Sequence, residues 1–291
     1  MSVENQGNPT QPKKILESSP FSGIAVPIAI VLVGGLIIFG VTKMLSSGKN
    51  HRDLIEEMNS KTFGNRWVAA YELSKFLAAS KIPSEDIPWV IENLSRVYYE
   101  TVDARTRNFV VLALGSLKNP LALDVLNKAL EDQDGQVKFN AVVSLANMAQ
   151  SEGINWIKLE AVLQQNEDPG LKQVALFAFA SHNQPRTPEL ALPLLTSSDK
   201  TLRYAAANVL IKYKRQEALP VITEMANLIY TNSQQGELNG AQVEALKTNL
   251  LENIEKSKWV ELSNLVDNLE RNDSNIRVQT KAKQVLKLLK N

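Results

Sequence analysis

The side chains best suited to nucleophilic, acid–base or metal chemistry are scarce in this chain. It has no cysteine, which excludes a thiolate nucleophile, a disulfide framework and cysteine-ligated zinc or iron–sulfur centres. Two histidines remain, His51 and His182. Neither has a second histidine three or four residues away, the spacing that sets two imidazoles on one helical face. Ser46 and Lys49 reproduce an S-x-x-K spacing, but a bare four-residue match arises by chance. Glycine-rich phosphate loops, the G-x-S-x-G elbow and the H-E-x-x-H helix are absent from the sequence. The 31 carboxylates show no pairing that separates them from solvated helix faces. No catalytic, metal or cofactor-binding residue is therefore expected, and the chain reads as non-enzymatic.

Charge narrows the partner class. The 291 residues carry 32 Lys plus Arg against 31 Asp plus Glu, a net +1. Without the first fifty residues the balance is 28 basic to 29 acidic. A surface that neutralises phosphates is usually strongly basic, so nucleic acid is not the expected partner.

The first fifty residues read as one unit. Residues 1–20 are polar and aperiodic, the pattern of a disordered tail. Residues 18–42 carry no charge, and 21–42 are almost continuously apolar. At 1.5 Å per residue, about 21 residues of helix span about 31 Å, the thickness of a bilayer's hydrocarbon core. The run ends without the small-residue pattern of a cleaved signal peptide. A single transmembrane helix over 21–42, anchoring the chain in membrane lipid, is the expectation, with 43–50 as a linker. Lys13 and Lys14 precede it, and Lys43, Lys49, Arg52 and Lys61 follow it. The positive-inside bias then puts the C-terminal part in the cytoplasm.

From residue 51 the chain repeats itself. An Asp, two residues, an apolar residue or Thr, then Arg or Lys recur as Asp103…Arg107, Asp134…Lys138, Asp168…Lys172, Asp199…Arg203 and Asp273…Arg277. The first four copies are spaced 31, 34 and 31 residues, and a fainter copy begins at Arg66. An Asp at a helix start accepts amide hydrogens that have no partner in the helix and suits its positive end. Pro169 follows Asp168, at the first helical position, where a missing N–H costs nothing. Alanines 141, 175 and 206 sit three residues past the basic position, where they let helices approach closely. An amphipathic stretch precedes each Asp. The predicted unit is a helix pair, in seven copies: 51–80, 86–118, 120–150, 153–182, 187–214, 216–256 and 258–290. The sixth departs from the pattern. It lacks the Asp, has Glu244 at the basic position and carries a polar loop over 231–240. One such pair cannot bury its own apolar face, so the pairs must stack into a solenoid. The fold class is all-α.

These residues, most clearly segment 120–148, resemble HEAT repeats, especially the bacterial type found in phycobilisome-lyase-like proteins. The resemblance covers 51–291. It implies that the repeated Asp and Arg or Lys form a ladder between neighbouring repeats, and that second helices line a concave face. It also admits a lyase or cofactor-handling accessory role as the alternative to a scaffold, or a structural subunit of a membrane machine.

Two surfaces are candidates for binding. Trp67, Phe139 and Tyr204 follow the basic position, and Tyr71 and Phe177 lie four residues on, forming a partly aromatic stripe. Aromatics are favoured as interface anchors because they cover large area at small entropic cost. The last helix carries Arg277, Lys281, Lys283, Lys287 and Lys290 with no acid, a basic patch suited to an anionic lipid or nucleic-acid strand. The expected function is a membrane-tethered scaffold whose solenoid binds a protein partner not identified by sequence.

Overall fold

A computed structural model describes residues 49–59, 66–79, 82–165, 168–230 and 238–290. The expected tail, transmembrane span and most of the linker lie outside the described residues. Among the described residues no helix is long and apolar enough to cross a membrane.

Fourteen α-helices and short 3-10 turns make up the described chain, with no strand. The helices fall into seven pairs: α1 (His51–Asn59) with α2 (Arg66–Ala79), α3 (Ile87–Glu100) with α4 (Ala104–Leu117), α5 (Leu123–Ala129) with α6 (Gly135–Ala146), α7 (Trp156–Gln165) with α8 (Pro169–Ser181), α9 (Thr187–Ala191) with α10 (Lys200–Lys212), α11 (Leu219–Ala226) with α12 (Gly240–Ser257), and α13 (Ser263–Asn272) with α14 (Ile276–Leu289). Each second helix packs on the second helices before and after it, from α2 through α14. That layer holds most of one apolar cluster running from Leu54 to Leu289. Residues 51–291 form one compact unit.

The caps explain where second helices begin. Asp103 accepts from the Arg105 amide, Asp134 from Gln136 and Val137, Asp168 from Gly170 and Leu171, and Asp199 from Leu202. The repeated Asp is thus a helix cap in four copies. The fifth copy needs correction. The cap of α14 is Asn275, whose side chain accepts from Arg277 N, and Asp273 lies two residues before it. The basic position of that copy is consequently Gln279, not Arg277. Its amide donates to the Asp273 carbonyl at 2.7 Å, as Arg107 donates to Thr101 and Arg203 to Ser197. The sixth pair recovers its cap from Asn239, in a reciprocal capping box with Gln242. Glu244 therefore falls one residue past the expected basic position.

Helices α4 and α6 approach closely at Gly115. A Cβ on Gly115 would lie 2.1 Å from Ser144 Oγ and 2.6 Å from Ser144 Cβ. Alanine gains about 1 kcal/mol over glycine in helix propensity. Overpacking at such distances costs about 1–3 kcal/mol and prevails. Gly115→Ala should lower the denaturation midpoint, and adding Ser144→Gly should restore most of it. A chain beginning at Lys49 should give a strongly helical circular dichroism spectrum, and a strand-type or unfolded spectrum would contradict the solenoid.

Candidate functional site

Any chemistry in this chain would have to arise from its titratable clusters. Three share one design. On α4, Arg107 grips Asp132 from the next pair through Nε at 2.7 Å and Nη2 at 2.9 Å. Tyr98 on α3 donates its hydroxyl to the same carboxylate at 2.9 Å. On α10, Arg203 donates to Glu224 of α11 at 2.8 Å, and Tyr204 donates to it at 2.7 Å. On α12, Lys247 meets Asp273 at 2.6 Å, and Tyr230 donates to Asp273 at 2.8 Å. The side chains of Lys247 and Asp273 are only 5% and 1% exposed. Lys247 also lies 4.8 Å over the Tyr230 ring.

Each cluster joins one helix pair to the next through a base, a tyrosine and an acid. A ladder of the kind implied by the sequence resemblance is present, but of its acids only Asp273 is among the repeated Asp of the sequence pattern; the other two are Asp132 and Glu224. Asp132 and Asp273 each sit two residues before a helix cap and also accept the amide of the cap residue, at 2.9 Å in both cases. Sequence reading missed Tyr98, Asp132, Glu224, Tyr230 and Lys247. The available signal was an oxygen-bearing side chain two residues before each cap, as in Thr101, Asp132, Ser197 and Asp273.

Electrostatics follow the contacts. Burial pushes the Tyr204 phenol up, reinforced by its bond to the Glu224 carboxylate, to about 12. Tyr98 and Tyr230 are raised in the same way by burial and by their carboxylate partners. Burial alone would raise Asp132. The bonds from Arg107, the Asp134 amide and Tyr98 outweigh it and hold its carboxyl below the usual value. A base locked to a carboxylate and a phenol held protonated are poor proton carriers, so the clusters brace the stack.

The two histidines are likewise engaged in packing. His51 donates to Asp86 at 2.9 Å, and Arg52 reaches the same carboxylate. His182 donates to the Leu145 carbonyl at 2.9 Å and stands edge-on to Trp156. Among the described residues no three His, Cys, Asp or Glu side chains converge as a metal-ligand set.

The aromatic stripe splits on folding. Tyr204 is 1% exposed, its hydroxyl turned to Glu224, which places it in the core and not on a surface. Trp67 and Tyr71 are half-buried against the next second helix, with Arg105 5.3 Å over the indole and Phe109 5.1 Å from the phenol. Phe139 is half-buried and packs on the core. Phe177 alone of the five is exposed, at 58%. It lines a groove of about 450 Å³ between α8, α10 and α12. Val174, Leu176 and Val209 form the apolar floor, with Gln173, Asn208, Asn249, Asn253 and Lys212 around it. Asn253 donates to Asn208 at 3.2 Å and to Asn249 at 3.0 Å, which aligns these amides along the groove wall. The arrangement offers one aromatic contact, an apolar floor and amide donors and acceptors.

The basic patch also divides. Arg277 pairs with Glu244 at 3.0 Å and Lys281 with Glu255 at 2.7 Å, both across to α12. Lys283, Lys287 and Lys290 are exposed.

Comparison with known proteins agrees with this architecture. Residues 157–228 match the family model for HEAT repeats. No curated protein sequence matches the chain. Among solved structures, YibA of E. coli aligns over 85% of this chain and 84% of its own, at 16% identity and a TM-score of 0.59. A chain from the complex of CpcE and CpcF of phycocyanin lyase from Nostoc sp. PCC7120 aligns over 84% of this chain and 96% of its own, at 16% identity and a TM-score of 0.54. At that identity the likeness concerns the HEAT-like solenoid fold alone.

The buried ion pair gives a direct test of the bracing role. Lys247→Met leaves the Asp273 carboxylate enclosed without its cation and should cost about 3–5 kcal/mol in denaturant unfolding. Adding Asp273→Asn should recover part of that loss. Asp132 sets a pH dependence. Its stabilisation is fully present above the ordinary carboxylate value of 3.8 and is lost as pH falls through the lower folded-state value. Asp132→Asn should therefore flatten the acid limb of the stability profile.

Proposed function

We propose that this chain is a non-enzymatic scaffold that holds a segment of a partner protein in the groove between α8, α10 and α12. The observation that carries this reading is Phe177, an exposed aromatic on a layer of helices whose other stripe aromatics are wholly or half buried. An aromatic beside an apolar floor, rimmed by polar amides, has the anatomy of an interface centre with its rim. The paired charges are engaged in joining helix pairs, which leaves none of the three clusters poised for turnover. Residues 21–42 are the proposed membrane tether, on the strength of their uncharged apolar length, with residues 51–291 on the cytoplasmic side from the excess of Lys and Arg after the run. Tethering would confine the solenoid to a membrane surface and raise the local concentration of any partner there.

The test is crosslinked capture from membranes with the full chain and with Phe177→Ala and Phe177→Glu. Both variants should keep the wild-type melting temperature, because the side chain is exposed. Loss of a specific protein from the captured set is the expected outcome, with Phe177→Ala weakening binding about 30-fold or more if the residue is a true anchor. An unchanged set in both variants would remove the groove from consideration. Tyr204→Ala is the contrasting variant, expected to cost about 3–5 kcal/mol in folding stability.

A further inference from the structure

The last described helix, α14, has two different faces. Val278, Ala282, Val285, Leu286 and Leu289 are buried against the rest of the solenoid. On the opposite side Ile276, Thr280, Lys283, Lys287 and Lys290 follow one another at three- and four-residue spacing, which aligns them in one outward stripe. At about 1.5 Å per residue the stripe is about 21 Å long. None of the three lysines lies within 4.0 Å of a carboxylate among the described residues, whereas Arg277 and Lys281 on the flank are both neutralised by α12. The helix has no acid of its own. Ile276, at the head of the stripe, is 71% exposed, and Leu288 on its shoulder is also exposed.

We infer that the outward face of α14 is a docking surface for an anionic phospholipid bilayer. Lysine is suited to this task, since its aliphatic stem lies along the apolar boundary while the ammonium reaches the headgroups. An amphipathic interfacial helix combines such lysines with exposed aliphatic residues, as Ile276 and Leu288 provide here. Each lysine near an anionic leaflet adds about fivefold to membrane partitioning, and three together about a hundredfold. A nucleic-acid strand is the poorer fit. It calls for arginine or aromatic stacking and a basic domain, and residues 51–291 carry 28 basic groups to 29 acidic. The inference goes beyond the groove reading and does not depend on Phe177.

The experiment reconstitutes the full chain in nanodiscs of phosphatidylcholine alone or of phosphatidylcholine and phosphatidylserine in equal parts. Lysine acetylation rates are then read residue by residue by mass spectrometry. Lys283, Lys287 and Lys290 should be modified severalfold more slowly in the anionic discs, with protection lost at high salt. Lys118, exposed at the end of α4, is the control and should not change. In the triple variant Lys283→Glu, Lys287→Glu, Lys290→Glu, the hydrogen-exchange protection that anionic discs confer on α14 should disappear, with the melting temperature unchanged. Co-elution of the chain with either disc reports the tether separately. Equal rates in both discs, or equal protection of Lys118, would overturn the inference. Protection by a DNA duplex in detergent with none in anionic discs would overturn it in favour of nucleic acid.

Discussion

Everything in this molecule depends on how closely the second helices can approach one another. A single helix pair leaves one apolar face in water, and only a neighbouring pair covers it. Ala141, Ala175 and Ala206 are fully buried at the same turn of successive second helices, and Gly115 meets Ser144 where even a methyl group would not fit. Small residues at these points bring the helices together, and the leucines a turn later fill the space between them. The stacked layer is apolar nearly all round. Its aromatic residues are consequently drawn inward wherever a neighbour can cover them.

The charged side chains answer a second demand of the same stack. Apolar contact is non-directional and does not set the register of one pair on the next. The base–tyrosine–acid clusters do, since each requires three groups from two pairs to meet at hydrogen-bond distance. Lys247 with Asp273 is the most enclosed of them, and its removal one partner at a time exposes the cost of an isolated buried charge. Asn127 makes a further joint, donating to Gly153 O and accepting from Asn155 N, both at 2.8 Å. Polar groups of this kind tie each pair to the next in one register.

The all-α class, the seven pairs and four of the five Asp caps were legible because they rest on local physics. Periodicity, a capping carboxylate and a proline at the first helical position act within one turn of chain. The last copy was misread by two residues because Asp273 and Asn275 are both competent caps and both have extended backbone. What separates them is tertiary: the Asp273 carboxylate is taken by Lys247 and Tyr230, while Asn275 is left to accept the Arg277 amide. The clamps were not legible for a related reason. Glu224 and Asp132 resemble any surface acid in sequence, and their partners lie 21 and 25 residues away, in contact only once the pairs have stacked.

By itself the sequence determined an α-solenoid of helix pairs from residue 51 onward, with no cysteine or histidine cluster to do chemistry. It determined that aromatic residues would recur at one register of the second helices. Only tertiary structure decided which of them meet solvent. Tyr204 and Phe177 both lie on the stripe of aromatics, yet one finds Glu224 and is enclosed while the other faces a gap between helices. Periodicity specifies the direction in which a side chain leaves its helix. Whether anything waits there depends on the neighbouring helices, and their placement is set by contacts made along the whole stack.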